Sequence, residues 1–151
     1  MAQAPADNIQ DRIEIQEKLL YAYSYTYDTK DCVGWSNLFT TDAVFDLGMK
    51  AIGRDAVREG CIASQSQKDG VGNIKTRHNM MNLVFDQLTP RRALTRSYYL
   101  LTWQKPGDQM PTIHTAWTYR DVIVKSDDGT WLFKERTAID GSWAAGSRWY
   151  Q

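Results

Sequence analysis

The chain has 151 residues, 42% hydrophobic and 24% charged, the makeup of a soluble globular domain and not of a tail, a fibre or a repeat array. Lys and Arg number 18 against 18 Asp and Glu, and the sequence pI is about 6.7, which argues against a protein built to grip phosphate backbones. Aromatic residues make up 12%, a generous supply of flat apolar surface, so the expected partner is a small molecule, with no nucleic acid and no membrane involved.

A domain of this size buries roughly 68–70% of its unfolded surface, enough for one core with a pocket inside it. One domain over residues 1–151 is therefore expected. Residues 1–7 carry neither a basic nor an apolar leader segment, and no run approaches the roughly 18 apolar residues of a membrane span, so the expected location is cytoplasmic. Cys32 and Cys61 are far apart and match no ligand spacing, and both are read as free, packed thiols.

Ile9, Ile13, Leu20, Tyr23 and Tyr27 recur at helical spacing, with Gln16 in the slot between, and predict a first helix over about residues 7–30. Asp7 or Asn8 can cap it. The alternation of Tyr21, Tyr23, Tyr25 and Tyr27 mimics a strand, but that reading would ignore the stripe before it. A short helical turn over 35–39, a strand over 43–47 and a second helix from Gly53-Arg54-Asp55 to about residue 66 follow, then a loop over 67–75. Four longer strands are predicted over 77–88, 92–104, 112–126 and 130–140, joined by Pro, Gly and Asp turns as an antiparallel meander. The order implies an α+β fold, with helices gathered on one face of a curved sheet and a hollow between them. The tail, 141–151, carries Trp143, Trp149 and Tyr150 and is either a flap over the hollow or a packed end.

With only His78 and His114, and no paired cysteine motif, no metal site can be read from spacing, and neither a nucleophile elbow nor a phosphate loop occurs. No metal and no cofactor are expected. What remains is acid-base chemistry at the edge of the hollow. At about 100° per residue Asp28 falls on the border of the helix stripe, half inward. His78 shares a strand face with Met80, Asn82 and Val84, a mixed face that suits either a pocket or a satisfied core histidine. His114, beside Ala116 and Thr118, is undecided. A neutral imidazole can accept a C–H proton if a carboxylate steadies the imidazolium, which Asp28 would do. The developing enolate then needs donors: Tyr27, one of Tyr23, Tyr25 or Tyr99, and Arg136, which reads more readily as a surface ion-pair residue.

The run Ser24-Tyr25-Thr26-Tyr27-Asp28-Thr29-Lys30-Asp31, with Asp46 and then Thr76-Arg77-His78, resembles the scytalone dehydratases and, more broadly, the SnoaL-like branch of the nuclear transport factor 2-like superfamily. Gly53-Arg54-Asp55-Ala56 and Gly129-Thr130-Trp131-Leu132-Phe133 resemble that branch too, so the likeness covers about residues 7–140. The resemblance implies a cone-shaped half barrel, an antiparallel or mixed sheet packed on about three N-terminal helices. It also implies a small homo-oligomer, a dimer or a trimer. Carried over, Tyr27 is the phenol that binds a carbonyl or water, Asp28 the carboxylate partner and His78 the general base or acid. The pattern departs at Leu47, Trp103, Ala116 and Thr118, where polar contacts of a scytalone site are replaced. The expected substrate-binding set is Tyr23, Tyr99, Trp103, His114 and Arg136. The implied activity is a cofactor-independent, dehydratase-type lyase acting on a small cyclic or polyketide-like molecule. Isomerase, cyclase and non-catalytic binding module are the alternatives.

Overall fold

The computed structural model describes residues 8–140. Asn8 caps the first helix by accepting the Gln10 N–H at 3.0 Å. The helix continues through α1 (Ile9–Glu14), a π-helical segment (Ile15–Tyr21) and α2 (Ala22–Asp28). The buried stripe differs from expectation in its first turns: Ile9 and Ile13 are exposed, while Asp11, Ile15, Leu19, Leu20 and Tyr23 are buried. Residues four apart drift by about 40° per step on an α-helix. Wider π-helical turns remove much of that drift, so Ile15, Leu19, Tyr23 and Tyr27 all keep facing the sheet.

Lys30, left-handed at φ 65°, takes the chain out of the helix, and Asp31 caps α3 (Cys32–Ser36) by accepting the Gly34 N–H at 2.8 Å. β1 (Phe39–Asp46) and β2 (Lys50–Ile52) form a hairpin, and α4 (Arg54–Gly70) follows, running past its expected end through Lys68. Arg54 fixes the start of α4 by donating through Nε and Nη2 to the Phe39 carbonyl at 2.8 and 2.6 Å. β3 (Lys75–Leu88), β4 (Arg92–Gln104), β5 (Thr112–Lys125) and β6 (Trp131–Asp140) form the antiparallel meander. β6 also pairs in parallel with β1, giving the order β2-β1-β6-β5-β4-β3. Three helices thus pack on a six-stranded, mixed, open sheet, the α+β half barrel expected.

The two cysteines are not free thiols. Cys32 and Cys61 form a disulfide that ties α3 to α4. Spacing in sequence hid this, because only the packing of the two helices brings the sulfurs together. Disulfides persist in oxidising surroundings, so cysteine usage gives no support to a cytoplasmic location. No described helix is long and apolar enough to cross a membrane. The expected flap, 141–151, lies outside the described residues.

A bulge in β6 shapes what lies under the sheet. Ile123 pairs with Phe133, but Val122 pairs with Glu135, so the alternation of faces inverts between them. Phe133 and Arg136 consequently both point inward, and Arg136 is wholly buried. Simple alternation, which puts Arg136 on the same face as Lys134, fails for this reason.

Candidate active site

Asp28 is the last residue of α2, and β3 passes beside it. Its carboxylate accepts three hydrogen bonds: Thr76 Oγ1 and His78 Nδ1 to Oδ1 at 2.8 and 2.7 Å, and the His78 backbone N–H to Oδ2 at 2.8 Å. Both side chains of the pair are buried, 7% exposed for His78 and 8% for Asp28. An ionised carboxylate only accepts, so Nδ1 carries the proton and Nε2 is left as the ring's lone-pair nitrogen. Aromatic rings hold the imidazole: Tyr27 edge-on at 4.9 Å between centroids, Tyr23 edge-on at 6.1 Å and Tyr99 stacked at 6.2 Å.

His78 forms part of the wall of a cavity of about 340 Å³ between α2, α4 and the sheet. Tyr23, Tyr27, Trp35, Tyr99, Trp103 and Tyr119 supply its aromatic lining. On its other side His78, with Asp28, Arg77 and Ser24, borders a groove of about 700 Å³. The dyad therefore stands between two hollows.

Tyr27 has two partners that sequence reasoning missed. Its Oη lies 2.8 Å from Ser64 Oγ and accepts from Lys68 Nζ at 2.9 Å. Lys68 is only 7% exposed. Gln65, from the same helix, donates to the Tyr27 carbonyl at 2.8 Å and so anchors the end of α2. Assigning 67–75 to a loop concealed Lys68. The spacing of Val57, Cys61, Ser64 and Lys68, steps of four, three and four along one helix face, is the signal that extends the helix to it.

Beneath the cavity Tyr23 and Tyr119 share a hydrogen bond at 3.2 Å, and Tyr119 stacks on Tyr99 at 4.2 Å. Burial raises all three phenols above the usual tyrosine range, which keeps them neutral donors. Arg136 lies under this layer, its guanidinium 4.1 Å from the centre of the Tyr23 ring and 3.8 Å from that of Tyr119. Its carboxylate partner is Asp121, equally buried, with Nε to Oδ1 at 3.2 Å. Arg136 is thus neither a surface residue nor part of the cavity lining.

Of the other expected site residues, Tyr23, Tyr27, Tyr99 and Trp103 line the cavity. His114 sits at a β5 bulge, exposed, with its ring stacked 3.6 Å from that of Trp103. Burial, and then the charge of Lys68, lower its pKa. Tyr25 is 74% exposed and takes no part. Among the positions that depart from the scytalone pattern, Leu47 and Trp103 line the cavity and Ala116 and Thr118 do not. Among the described residues no group of three His, Cys, Asp or Glu side chains is placed to hold a metal ion.

Residues 7–137 match the family model described as a SnoaL-like domain. No curated protein matches the chain. Among solved structures, a Mycobacterium tuberculosis protein of unknown function is 27% identical, with a TM-score of 0.76 over 87% of this chain and 77% of that one. A Novosphingobium aromaticivorans protein provisionally named a scytalone dehydratase is 26% identical, with a TM-score of 0.72 over 87% and 84%. ActVI-ORFA of Streptomyces coelicolor is 19% identical, with a TM-score of 0.80 over 89% and 97%, a likeness of fold alone.

Proposed function

The chain belongs to the SnoaL-like domain family, and from that premise we propose that it is a cofactor-independent lyase of the dehydratase type. The observation that carries this reading is the buried Asp28–His78 pair in the wall of an aromatic cavity. Its substrate is a small cyclic or polyketide-like carbonyl compound with a leaving hydroxyl. His78 Nε2 takes the proton from the carbon next to the carbonyl, and Asp28 steadies the imidazolium. The C–H electrons move onto the carbonyl oxygen, which accepts a hydrogen bond from the Tyr27 phenol. When the carbonyl re-forms, the β C–O bond breaks, the His78 proton goes to the departing hydroxyl, and water leaves. His78 is neutral again. The 26% identical structure named a scytalone dehydratase supports the choice of elimination.

The test is proton exchange. Cyclic β-hydroxyketones are incubated with the protein in deuterated water, and proton NMR follows loss of the α-proton signal and growth of the enone. Catalysed exchange that disappears in His78→Gln is the expected result. Exchange without elimination makes the protein an isomerase or cyclase using the same dyad. Binding without exchange makes it a ligand-binding module and overturns the proposal.

A further inference from the structure

We propose that the cavity selects an organic anion rich in acceptor oxygens, with its negative oxygen seated against Lys68 and Tyr27; this rests on reading the cavity as the substrate site. Two lysines line the hollow, Lys68 deep inside and Lys50 in an exposed position, yet no Asp or Glu lines it among the described residues. Among the described residues the hydrogen-bond acceptor of Lys68 is the neutral Tyr27 phenol oxygen at 2.9 Å, and its ammonium lies 4.5 Å from the centre of that ring. A buried ammonium without a carboxylate is unfavourable unless something else compensates it. Asp28, beside the lining residue His78, already accepts three hydrogen bonds from Thr76 and His78.

The remaining polar lining points the same way. The indole N–H groups of Trp35 and Trp103 are buried, belong to residues lining the cavity, and find no acceptor among the described residues. Unmet donors and a cation with no carboxylate partner among the described residues together describe the complement of an oxyanion that carries further carbonyl or hydroxyl oxygens. A cationic ligand would face two ammonium groups, of which only the exposed Lys50 has a carboxylate near it, Asp46 at 3.9 Å, outside the lining. Ser64 deepens the argument: if its O–H donates to Tyr27 Oη alongside Lys68, the phenol proton is free to turn to the ligand. The rings of Tyr27 and His78 are 4.9 Å apart, so the held oxygen and the base address neighbouring atoms of one molecule.

The test compares binding of three flat probes of similar size by titration calorimetry. These are 2-naphthoate, ionised 2-hydroxy-1,4-naphthoquinone and neutral 2-naphthamide. At least a tenfold preference for each anion over the amide is expected, and Lys68→Met should abolish it while Lys68→Arg retains most of it. His78→Gln should leave the preference in place, which shows that a protonated histidine is not its source. Equal affinity for anion and amide, a preference unchanged in Lys68→Met, or no binding of either anion overturns the proposal. A preference for only the naphthoate or only the quinone narrows the class to carboxylates or to acidic enols. If Lys68→Met does not fold, the parent's own preference, and its weakening with salt, decides. No turnover is measured, so failure of the lyase reading leaves this result untouched, and the reverse also holds.

Discussion

Two carboxylate–base pairs lie under the same sheet and are built differently. Asp28 is saturated by three hydrogen bonds at 2.7 to 2.8 Å, and its partner His78 borders open space on both sides. Asp121 and Arg136 are both 0% exposed and meet loosely: Arg136 Nη2 donates to Asp121 Oδ2 at 3.4 Å, while the 3.2 Å approach of Nε to Oδ1 is out of hydrogen-bonding alignment and Nη1 has no partner among the described residues. Three aromatic rings surround the rest of the Arg136 guanidinium. The pair at the cavity leaves one ring nitrogen of His78 outside the pair, which the proposed proton transfer requires. The pair beneath it is a charge enclosed in the core, placed to polarise the Tyr23 and Tyr119 phenols above it. Geometry and access, not residue type, separate the two roles.

The largest effect should come from breaking the enclosed pair. Asp121→Ala leaves Arg136 buried and uncompensated and should cost about 3–5 kcal/mol of stability by chemical denaturation. The double change Asp121→Leu with Arg136→Met should recover most of that loss, because two charges no longer need to be buried. A single variant as stable as the parent would contradict the enclosed-charge description. Asp28→Asn should do the opposite: catalysed α-proton exchange falls by about 10²-fold or more, while stability falls by only about 1–3 kcal/mol. Retained exchange in that variant would remove Asp28 from the chemistry.

Breaking the α3–α4 tether comes next. Cys61→Ser should lower stability by about 2–4 kcal/mol, and adding a reductant to the parent should reproduce the loss. If reductant has no effect, the bridge contributes little to stability. The smallest effect is pH-dependent. Burial pushes Asp121 up to about 6, from 3.8, although Arg136 pulls the other way. The folded state then holds that proton more tightly than the unfolded chain, so this contribution is full below about pH 4 and is lost as pH rises through about 6. Asp11 has the opposite sign. Burial raises its pKa, but hydrogen bonds from Lys125 and Trp131 outweigh that and leave it lowered, so its contribution is lost as the solution turns acid. Comparing unfolding of the parent and Asp121→Asn from pH 4 to 7 isolates the first effect, and parallel curves would refute it.

The four long strands are legible in the sequence because turn residues such as Pro106-Gly107 and Asp128-Gly129 separate runs of strand-forming residues. Helix period puts Asp28 at the stripe's border and alternation puts His78 on a mixed face, but the likeness of Tyr27-Asp28 and Thr76-Arg77-His78 to the scytalone dehydratases is what singles them out. The contact of Lys68 with Tyr27 and the disulfide are not legible there, since each is made across separate elements. Arg136 misleads because one bulge reverses the alternation on which a strand reading depends. The exposed Ile9 and Ile13 mislead because a π-helical segment changes the period of the first helix partway along.

The sequence by itself determines the order of elements and the α+β class, because helix period, strand alternation and turn chemistry are local properties, and its motifs nominate Tyr27, Asp28 and His78 through the family they resemble. Tertiary structure alone decides that Asp28 meets His78 across 50 positions at 2.7 Å, that Lys68 reaches Tyr27, and that Arg136 lies in the core. Those contacts depend on how helices seat against a curved, bulged sheet, and no local period encodes that seating.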